Sequence, residues 1–183
     1  MEVIMEFQKV IESRRSVRKY DPDKKVDEAT IKEIIDAAIM APSWKNSQSA
    51  RYYIIRSEEI LAKFKQTCLP PFNANNSADA PVLIITAFVK NSSGFAPSGE
   101  PTNELGNGWG SYDLGLNNSI LILKAKDMGL DTLVMGIRDA DKIREMLSVS
   151  EDEIIMSVIA LGYGIQEPKM PKRKATEEIV KYF

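Results

Sequence analysis

Histidine is absent from this sequence of 183 residues, and cysteine occurs once, at Cys68. Without an imidazole the chain cannot form a Ser-His-Asp or Cys-His catalytic arrangement, an HExxH zinc site or a histidine proton shuttle. Any catalysis must therefore depend on other side chains, on backbone dipoles, or on a cofactor that carries the chemistry. A single cysteine cannot form an internal disulfide, which is typical of a reducing compartment. Its helical spacing from Leu61 and Phe64 predicts a core residue rather than a nucleophile.

Long hydrophobic runs are also missing. The longest apolar stretch, Pro81 to Val89, is much shorter than the roughly 20 residues that span a bilayer, and the N-terminus has no signal-peptide pattern. The net charge of -2 and the pI near 5.4 argue against a nucleic-acid-binding surface over the whole protein. The acidic residues from Asp139 to Glu153 lack a calcium-loop pattern, so no metal site is predicted. We expect a soluble, cytoplasmic protein with a single domain over residues 1–183.

Apolar periodicity predicts helices and strands that alternate along the chain. Asp27 is placed to cap a helix, and the apolar residues from Ile31 to Ile39 would form its core face until Pro42 stops it. The pattern predicts strands at Arg51–Arg56, Pro81–Val89, Thr132–Ile137 and Ile154–Leu161, and helices at the N-terminus, after Ser57, at Ser111–Met128, near Asp141–Leu147 and at Thr176–Tyr182. Lys90 to Gly110 is the only long loop. The class is α/β or α+β.

Basic residues are concentrated near the two ends of the chain. One cluster lies between Lys9 and Lys25, and its centre, Arg14 to Arg18, falls where the first helix stops; the other lies between Lys169 and Lys174. Guanidinium groups beside a hydroxyl and backbone N–H groups are suited to a phosphate or another planar anion. The alternative is a solvated basic turn that is offset by Glu12, Asp21 and Asp23.

A second polar segment, Ala41 to Gln48, lies between a predicted helix and a predicted strand. Its amides and hydroxyls beside Trp44 could read the edge of a heterocycle through paired hydrogen bonds. The alternative is a connection whose polar groups satisfy one another.

The order and spacing of these two segments are similar to those of a known protein family. Arg14 to Asp21, followed about one helix later by Ala41 to Gln48, resembles the nitroreductase family of FMN-dependent oxidoreductases. The resemblance covers nearly the whole chain through further fragments at Asp79-Ala80-Pro81, Gly129 to Thr132, Leu161-Gly162-Tyr163 and Pro171 to Lys174.

The resemblance implies an FMN site. Arg14 and Ser16 would bind the phosphate and ribityl side with Arg15 alongside, and Arg18 would point a cation at the pyrimidine end of the flavin. The other residues that the resemblance assigns to FMN are Pro42, Ser43 and Asn46 from a second subunit, Asn73 and Asn76, the backbone at Val134-Met135-Gly136, and Lys172 and Arg173, with Lys174 beside them, at the phosphate. At Val134-Met135-Gly136 this chain departs from a common subfamily form that carries a Glu-Gly pair, a departure that concerns the substrate more than the flavin. Phe95 and Trp109 are candidates for the substrate pocket or for ordinary loop packing.

The resemblance also implies the fold and the activity. It implies an α+β homodimer with FMN at the interface, in which a three-layer α/β/α subunit contains a mixed, mostly antiparallel sheet. The implied activity is reduction of nitroaromatics, quinones or similar electron-poor acceptors with NAD(P)H by a ping-pong mechanism. The alternatives are other redox chemistry on a retained flavin, such as dehalogenation or flavin breakdown, and a non-catalytic FMN-, anion- or nucleic-acid-binding module built on the Arg14 to Lys25 cluster.

Overall fold

The centre of the protein is a four-stranded sheet, seen in a computed structural model that describes residues 6–183. Its strands are β1 (Ala50–Ile55), β2 (Val82–Val89), β3 (Asp131–Met135) and β4 (Glu153–Gly162). They lie in the order β1-β2-β4-β3, and each neighbouring pair is antiparallel. Within residues 6–183 the parallel contribution is an isolated bridge between Ser16 and Thr132. The predicted α+β class with a mostly antiparallel sheet is therefore confirmed.

Six α-helices surround the sheet in the part of the chain that is described. They are α1 (Phe7–Ser13), α2 (Glu28–Ala38), α3 (Glu58–Cys68), α4 (Pro71–Asn76), α5 (Gly108–Asp127) and α6 (Ala140–Leu147), with 3₁₀ turns at Trp44–Asn46 and Thr176–Glu178. The sequence did not predict α4, which has only six residues and is too short to show a helical period. The helix predicted over Thr176–Tyr182 is wrong beyond Glu178, because its apolar side chains are exposed and no packing supports a longer helix.

Two separate cores give the protein its three layers. On one face of the sheet, α3 and α6 bury side chains such as Phe64 and Ile143. On the other face, α2 and α5 pack together around Ile34 and Leu121. Cys68 lies in the first core, as its spacing predicted, and burial raises the pKa of its thiol. No helix within residues 6–183 combines the length and the apolar character needed to span a bilayer.

The start of α2 follows from its local sequence. The Asp27 carboxylate accepts a hydrogen bond from the Thr30 N–H at 2.7 Å, and this bond holds the pKa of Asp27 below its ordinary value. Val26 and Ile31 on either side are both buried, as a hydrophobic staple requires. The helix ends at Ala38, so the predicted core face is wrong at Ile39, which is 57% exposed.

The sheet register places the two ends of the strands far apart. At one end Asp131 is paired with Gly162 on β4, and at the other Ala50 is level with Phe88 and Ile154. Gly162 and Ile154 are eight residues apart on β4, which corresponds to about 26 Å. The segment Arg14–Arg18 joins the first end, whereas Pro42–Gln48 leads into β1 at the second.

Candidate functional site

The segment Arg14–Lys19, here called the basic edge, is fixed by its backbone against the start of β3. The Val17 N–H donates to the Thr132 carbonyl at 3.0 Å. Tyr20 is fully buried and donates its hydroxyl to the Val17 carbonyl at 2.9 Å. Burial, followed by the Asp131 carboxylate, raises the pKa of Tyr20, so the phenol remains a hydrogen-bond donor at neutral pH. The backbone that presents the basic side chains is thus preformed.

The guanidinium groups of the basic edge have no acidic partners. Arg15 Nη1 donates to the carbonyls of Glu12 and Arg14, and Arg18 Nη1 donates to the carbonyl of Ser16. Across residues 6–183, no carboxylate lies within 4.0 Å of the side-chain nitrogens of Arg14, Arg15 or Arg18. The buried Arg15 Nε also has no hydrogen-bond partner. The positive charge of these groups is not neutralised within the described residues, and their donors outside the Arg15 Nη1 and Arg18 Nη1 bonds can serve an anion.

The acidic neighbours that could have offset this charge are engaged elsewhere. The Asp21 carboxylate lies 3.6 Å from Lys24 Nζ, and the Glu12 carboxylate accepts from the Gln8 amide. Cations in other parts of the fold do have carboxylate partners, including the pairs Lys25–Glu58, Lys32–Asp36, Arg56–Glu28 and Lys126–Asp131. Arg51 and Arg138 also donate to backbone carbonyls without a carboxylate partner, so the basic edge is set apart by the closeness of Arg14, Arg15 and Arg18 along the chain rather than by the lack of carboxylate partners alone.

Two open clefts flank the basic edge, and the first residues after β4 run between them. Gly164 is bridged to Tyr20, and the Ile165 N–H donates to the Lys19 carbonyl at 3.1 Å. The larger cleft, of about 740 Å³, is lined by Arg18, Lys19, Asn75, Asn76, Ala78, Asp79 and Gln166–Pro168. The smaller, of about 370 Å³, is lined by Ser13, Arg15, Val17, Lys126, Asp131 and Gln166–Met170. Both volumes are in the range of small-molecule sites.

The second basic cluster, Lys169–Lys174, lies close to the basic edge only at its first residues, Lys169 and Met170. Lys172, Arg173 and Lys174 are exposed, and their side chains make no hydrogen bond or ion pair within the described 6–183 region. The structure thus brings the residues just before them to the basic edge but leaves these three cations extended into solvent.

The end of β3 lies along the same edge of the sheet. Val134 is 49% exposed, whereas Met135 is buried, and Gly136 follows the last paired residue. The buried Asn73 donates its Nδ2 to the Ile137 carbonyl at 2.8 Å. Asn73 therefore fixes the turn after β3, and this structural role is what the geometry assigns to its amide.

The segment Pro42–Gln48, here called the anchored loop, has an unusual backbone. Lys45, Asn46 and Gln48 have positive φ angles of 46°, 57° and 50°, a region that non-glycine residues seldom adopt. The Gln48 N–H donates to Ser43 Oγ at 3.0 Å, so the predicted site hydroxyl of Ser43 also serves to close the loop.

Two residues from outside the anchored loop hold it in place. The Trp44 N–H donates to Asp113 Oδ2 on α5 at 2.9 Å. The hydroxyl of Ser93 lies 2.7 Å from Ser47 Oγ and 3.1 Å from Ser49 Oγ. Sequence analysis did not find Asp113 or Ser93, because both contacts cross more than 40 residues. Asp113 is the one acidic residue in the first half of α5, but nothing in the local sequence indicates that its side chain is buried.

The long segment before α5 is ordered by its own hydrogen bonds. Thr102 donates both its N–H and its hydroxyl to the Gly94 carbonyl, and Trp109 Nε1 donates to Asn103 Oδ1 at 2.9 Å. The ring of Trp109 packs on Trp44 with a centroid distance of 4.7 Å. Trp109 is thus in contact with the anchored loop, while Phe95 is bridged to Pro101 inside the segment.

The predicted site residues therefore fall into two groups. The basic edge, Asn73 and the end of β3 share one side of the sheet. Pro42, Ser43 and Asn46 lie beyond the start of β1, at the other end of the strands. The basic edge is about 26 Å along the strands from the start of β1, too far for it and Pro42–Asn46 of one chain to contact the same small anion, whereas Met135 at the end of β3 is level with Val158 and only about 13 Å from that end.

Comparison with known proteins gives a consistent result. The sequence model of the Nitroreductase family matches residues 11–163. A protein of Methanothermobacter thermautotrophicus, provisionally named NADH dehydrogenase/NAD(P)H nitroreductase, is 30% identical over 168 residues, which are 90% of this chain and 80% of the relative.

Solved structures show the same fold. An FMN complex of a provisionally named nitroreductase from Exiguobacterium sibiricum has a TM-score of 0.86 at 22% identity and covers 98% of each chain. An enone reductase of gut-bacterial fatty-acid saturation metabolism has a TM-score of 0.87 at 21% identity and covers 98% of this chain and 99% of its own.

Proposed function

This chain belongs to the nitroreductase family, and from that premise we propose that it is an FMN-dependent oxidoreductase that uses NAD(P)H to reduce electron-poor acceptors such as nitroaromatics or quinones. Relatives with nitroreductase names and FMN-bound structural neighbours support the cofactor and the electron donor. The observation that carries the proposal is the set of three guanidinium groups on the basic edge that have no carboxylate partner in residues 6–183, together with the buried Arg15 Nε that lacks a hydrogen-bond partner.

The residues of the basic edge fit FMN. Arg14, Arg15 and the Ser16 hydroxyl offer charged and neutral donors to a phosphate dianion, and charge-assisted hydrogen bonds of this kind are the strong ones. Arg18 borders the larger cleft and would face the flavin ring. Lys172 and Arg173 follow Lys169 and Met170, which line the smaller cleft together with Arg15, and would bind the same phosphate.

The homodimer is part of the proposal. Pro42, Ser43 and Asn46 are about 26 Å away from the basic edge along the strands, so they would reach the flavin of a second subunit. Exposed apolar side chains support such a subunit contact. They include Phe7 on α1, Met40 after α2 and Tyr112 on α5. An apolar groove of about 290 Å³ lies beside Phe7, among residues of α1, α2 and α5. Apolar surface of this kind is typical of protein interfaces.

The chemistry that FMN supplies when bound is acceptance of a hydride from NAD(P)H and its return to the acceptor, a ping-pong order when both substrates use one space. This chain's part is to bind and orient. Arg18 would stabilise negative charge at the pyrimidine end, and backbone groups at Val134-Met135-Gly136 would align the opposite edge. Val134 and Ile137 present apolar surface beside that edge. No histidine is needed, because solvent can supply the proton.

The acceptor class and the rival activities are distinguished by one experiment. Purified protein should be yellow and release FMN on denaturation, and NADH and NADPH oxidation should then be measured anaerobically with nitroaromatic, quinone, enone and halogenated acceptors. Turnover with nitroaromatics or quinones supports the proposal. An enone in the panel tests the activity of the enone reductase with the same fold. Reduction of the flavin by dithionite but by neither nicotinamide would contradict NAD(P)H use, and a colourless protein that fails to bind FMN would overturn the cofactor assignment.

A further inference from the structure

We propose that Asp113 and Ser93 are positioning residues that hold the anchored loop in the conformation in which it meets the FMN of a second subunit. The inference rests on the proposed function, because it takes FMN as the ligand. It also gives the segment before α5 a specific task, which is to support the cofactor loop from behind.

The backbone of the anchored loop needs such support. Lys45, Asn46 and Gln48 are three non-glycine residues with positive φ within four positions. A left-handed conformation costs about 1–2 kcal/mol for an ordinary residue and persists only where the surroundings impose it. In the absence of external contacts the loop would therefore relax to other conformations.

Asp113 supplies one of those contacts from the rigid part of the fold. Its side chain is buried, with 3% exposure. Among residues 6–183, its carboxylate accepts a hydrogen bond from the Trp44 N–H. A buried carboxylate is costly without a partner. The Asp113–Trp44 bond therefore links the conformation of the loop to the first turns of α5.

Ser93 supplies the second contact from the other side. It is 1% exposed, and its hydroxyl lies between those of Ser47 and Ser49, at the end of the loop where β1 begins. Ser93 in turn belongs to a segment that Thr102, Asn103 and Asn107 hold together by hydrogen bonds. The two anchors thus fix the loop at Trp44 and at Ser47, on both sides of Lys45 and Asn46.

The two tryptophans of the chain give a direct spectroscopic reading of this arrangement. Trp44 lies in the anchored loop and Trp109 at the start of α5, with ring centroids 4.7 Å apart and planes inclined at 51°. Coupled indole transitions at this distance produce a circular-dichroism couplet. Because the chain contains no other tryptophan, the couplet reports whether the loop is seated on α5.

The experiment compares four variants of the full chain. Asp113→Ala and Ser93→Ala each remove one anchor, Asp113→Asn keeps an oxygen that can accept from Trp44, and Thr86→Val is the control. Thr86 is fully buried, and its hydroxyl is 2.8 Å from Ser157 Oγ in the middle of the sheet, so its loss affects stability without a contact to the loop. For each variant the FMN Kd of the apoprotein, the tryptophan couplet and the Tm are measured.

We expect Asp113→Ala to weaken FMN binding by roughly 10- to 100-fold and to lose the couplet. Asp113→Asn should stay within about threefold of wild type, since a neutral acceptor retains much of the bond. Ser93→Ala should act in the same direction as Asp113→Ala, and it carries the test if Asp113→Ala does not fold. Thr86→Val should lower the Tm and leave the couplet and the Kd unchanged.

The outcomes separate this inference from the proposed function. A wild-type protein that binds no FMN would refute the proposed function. Wild-type FMN binding that is unchanged in Asp113→Ala and Ser93→Ala would refute the positioning role alone. A Kd that weakens as much in Thr86→Val as in the anchor variants would also refute it, because general destabilisation would then explain the effect.

Discussion

The basic edge and the anchored loop serve the same proposed ligand by opposite physical means. On the basic edge the backbone is paired with β3, and the charged ends of Arg14, Arg15 and Arg18 have no carboxylate partner in the described 6–183 region. In the anchored loop the Trp44 N–H, the Gln48 N–H and the Ser47 hydroxyl make contacts that hold a left-handed backbone. The basic edge offers charged side chains on a backbone that is held by ordinary pairing with β3. The anchored loop offers a specific backbone conformation that is strained.

This difference predicts how each region should respond to substitution. Side chains on the basic edge should contribute more to affinity than to folding, because their contacts within the fold are limited to local hydrogen bonds from Arg15 and Arg18 to backbone carbonyls. Side chains around the anchored loop contribute to conformation first and to affinity through it. Substitutions should therefore separate ligand binding from stability in one region and change both together in the other.

The largest predicted effect is the loss of FMN affinity when arginines of the basic edge are replaced. In the double variant Arg14→Ala, Arg15→Ala we expect FMN affinity to fall by about 3–4 kcal/mol, or roughly 100- to 1000-fold, through loss of two charge-assisted contacts. The free energy of unfolding of the apoprotein should fall by only about 1 kcal/mol, the contribution expected from the local bonds of Arg15 to the Glu12 and Arg14 carbonyls. Flavin fluorescence titration and urea unfolding measure the two quantities.

The matched control for this variant is Arg56→Ala. Arg56 is also a partly exposed arginine, but it lies 3.3 Å from the Glu28 carboxylate and away from the basic edge. It should leave FMN affinity unchanged. If the double variant instead lost folding stability and kept its affinity for FMN, the basic edge would be structural and the comparison between the two regions would fail.

A smaller effect, on the free energy of unfolding, should appear in the anchored loop, and its sign should be opposite to that of the matched change on the basic edge. Lys45 has a φ of 46°, so Lys45→Gly relieves a left-handed residue, and we expect the free energy of unfolding of the apoprotein to rise by about 0.5–1 kcal/mol. Lys19→Gly on the basic edge is the matched change at a residue without positive φ, and it should lower the same quantity by about 0.5–1 kcal/mol. Equal effects of the two variants in urea unfolding would show that the loop is not strained.

Much of the fold follows from local sequence, and the exceptions have physical reasons. The capped start of α2 and the buried β2 depend on neighbours within one turn or one strand, and both were predictable. By contrast, α4 has too few residues to show a period. The last predicted helix lacks a surface on which to pack its apolar residues.

The candidate site was predictable as a set of residues but not as an arrangement. Spacing brought out Arg14–Arg18 and Pro42–Gln48, since their residue types are unusual together. It could not reveal that they lie at opposite ends of the strands, because that depends on the register of β4 with both of its neighbours. Asp113 and Ser93 escaped notice for the same reason, as each contact closes over a long stretch of chain.

The smallest predicted effect is a change in stability at acid pH, and it distinguishes the Asp27 carboxylate, which titrates, from the arginines of the basic edge, which do not. Asp27 starts α2, the helix that leads to the anchored loop, and its pKa is lowered by the hydrogen bond from the Thr30 N–H. A lowered folded-state pKa gives stability that is present above the unfolded value, near 3.9, and is lost as the pH falls through the folded value. The Tm advantage of wild type over Asp27→Ala should therefore be full at about pH 6 and shrink below about pH 4.

Asp27→Asn is the control, because asparagine caps a helix about as well as aspartate but does not titrate in this range. The Tm advantage of Asp27→Asn over Asp27→Ala should be independent of pH. The double arginine variant should likewise show no acid-dependent change in stability relative to wild type, since guanidinium groups remain protonated throughout. A stability deficit of the double variant that is present near pH 6 and disappears below about pH 4 would mean that Arg14 or Arg15 pairs with a carboxylate in solution, and the absence of carboxylate partners on the basic edge would then be contradicted.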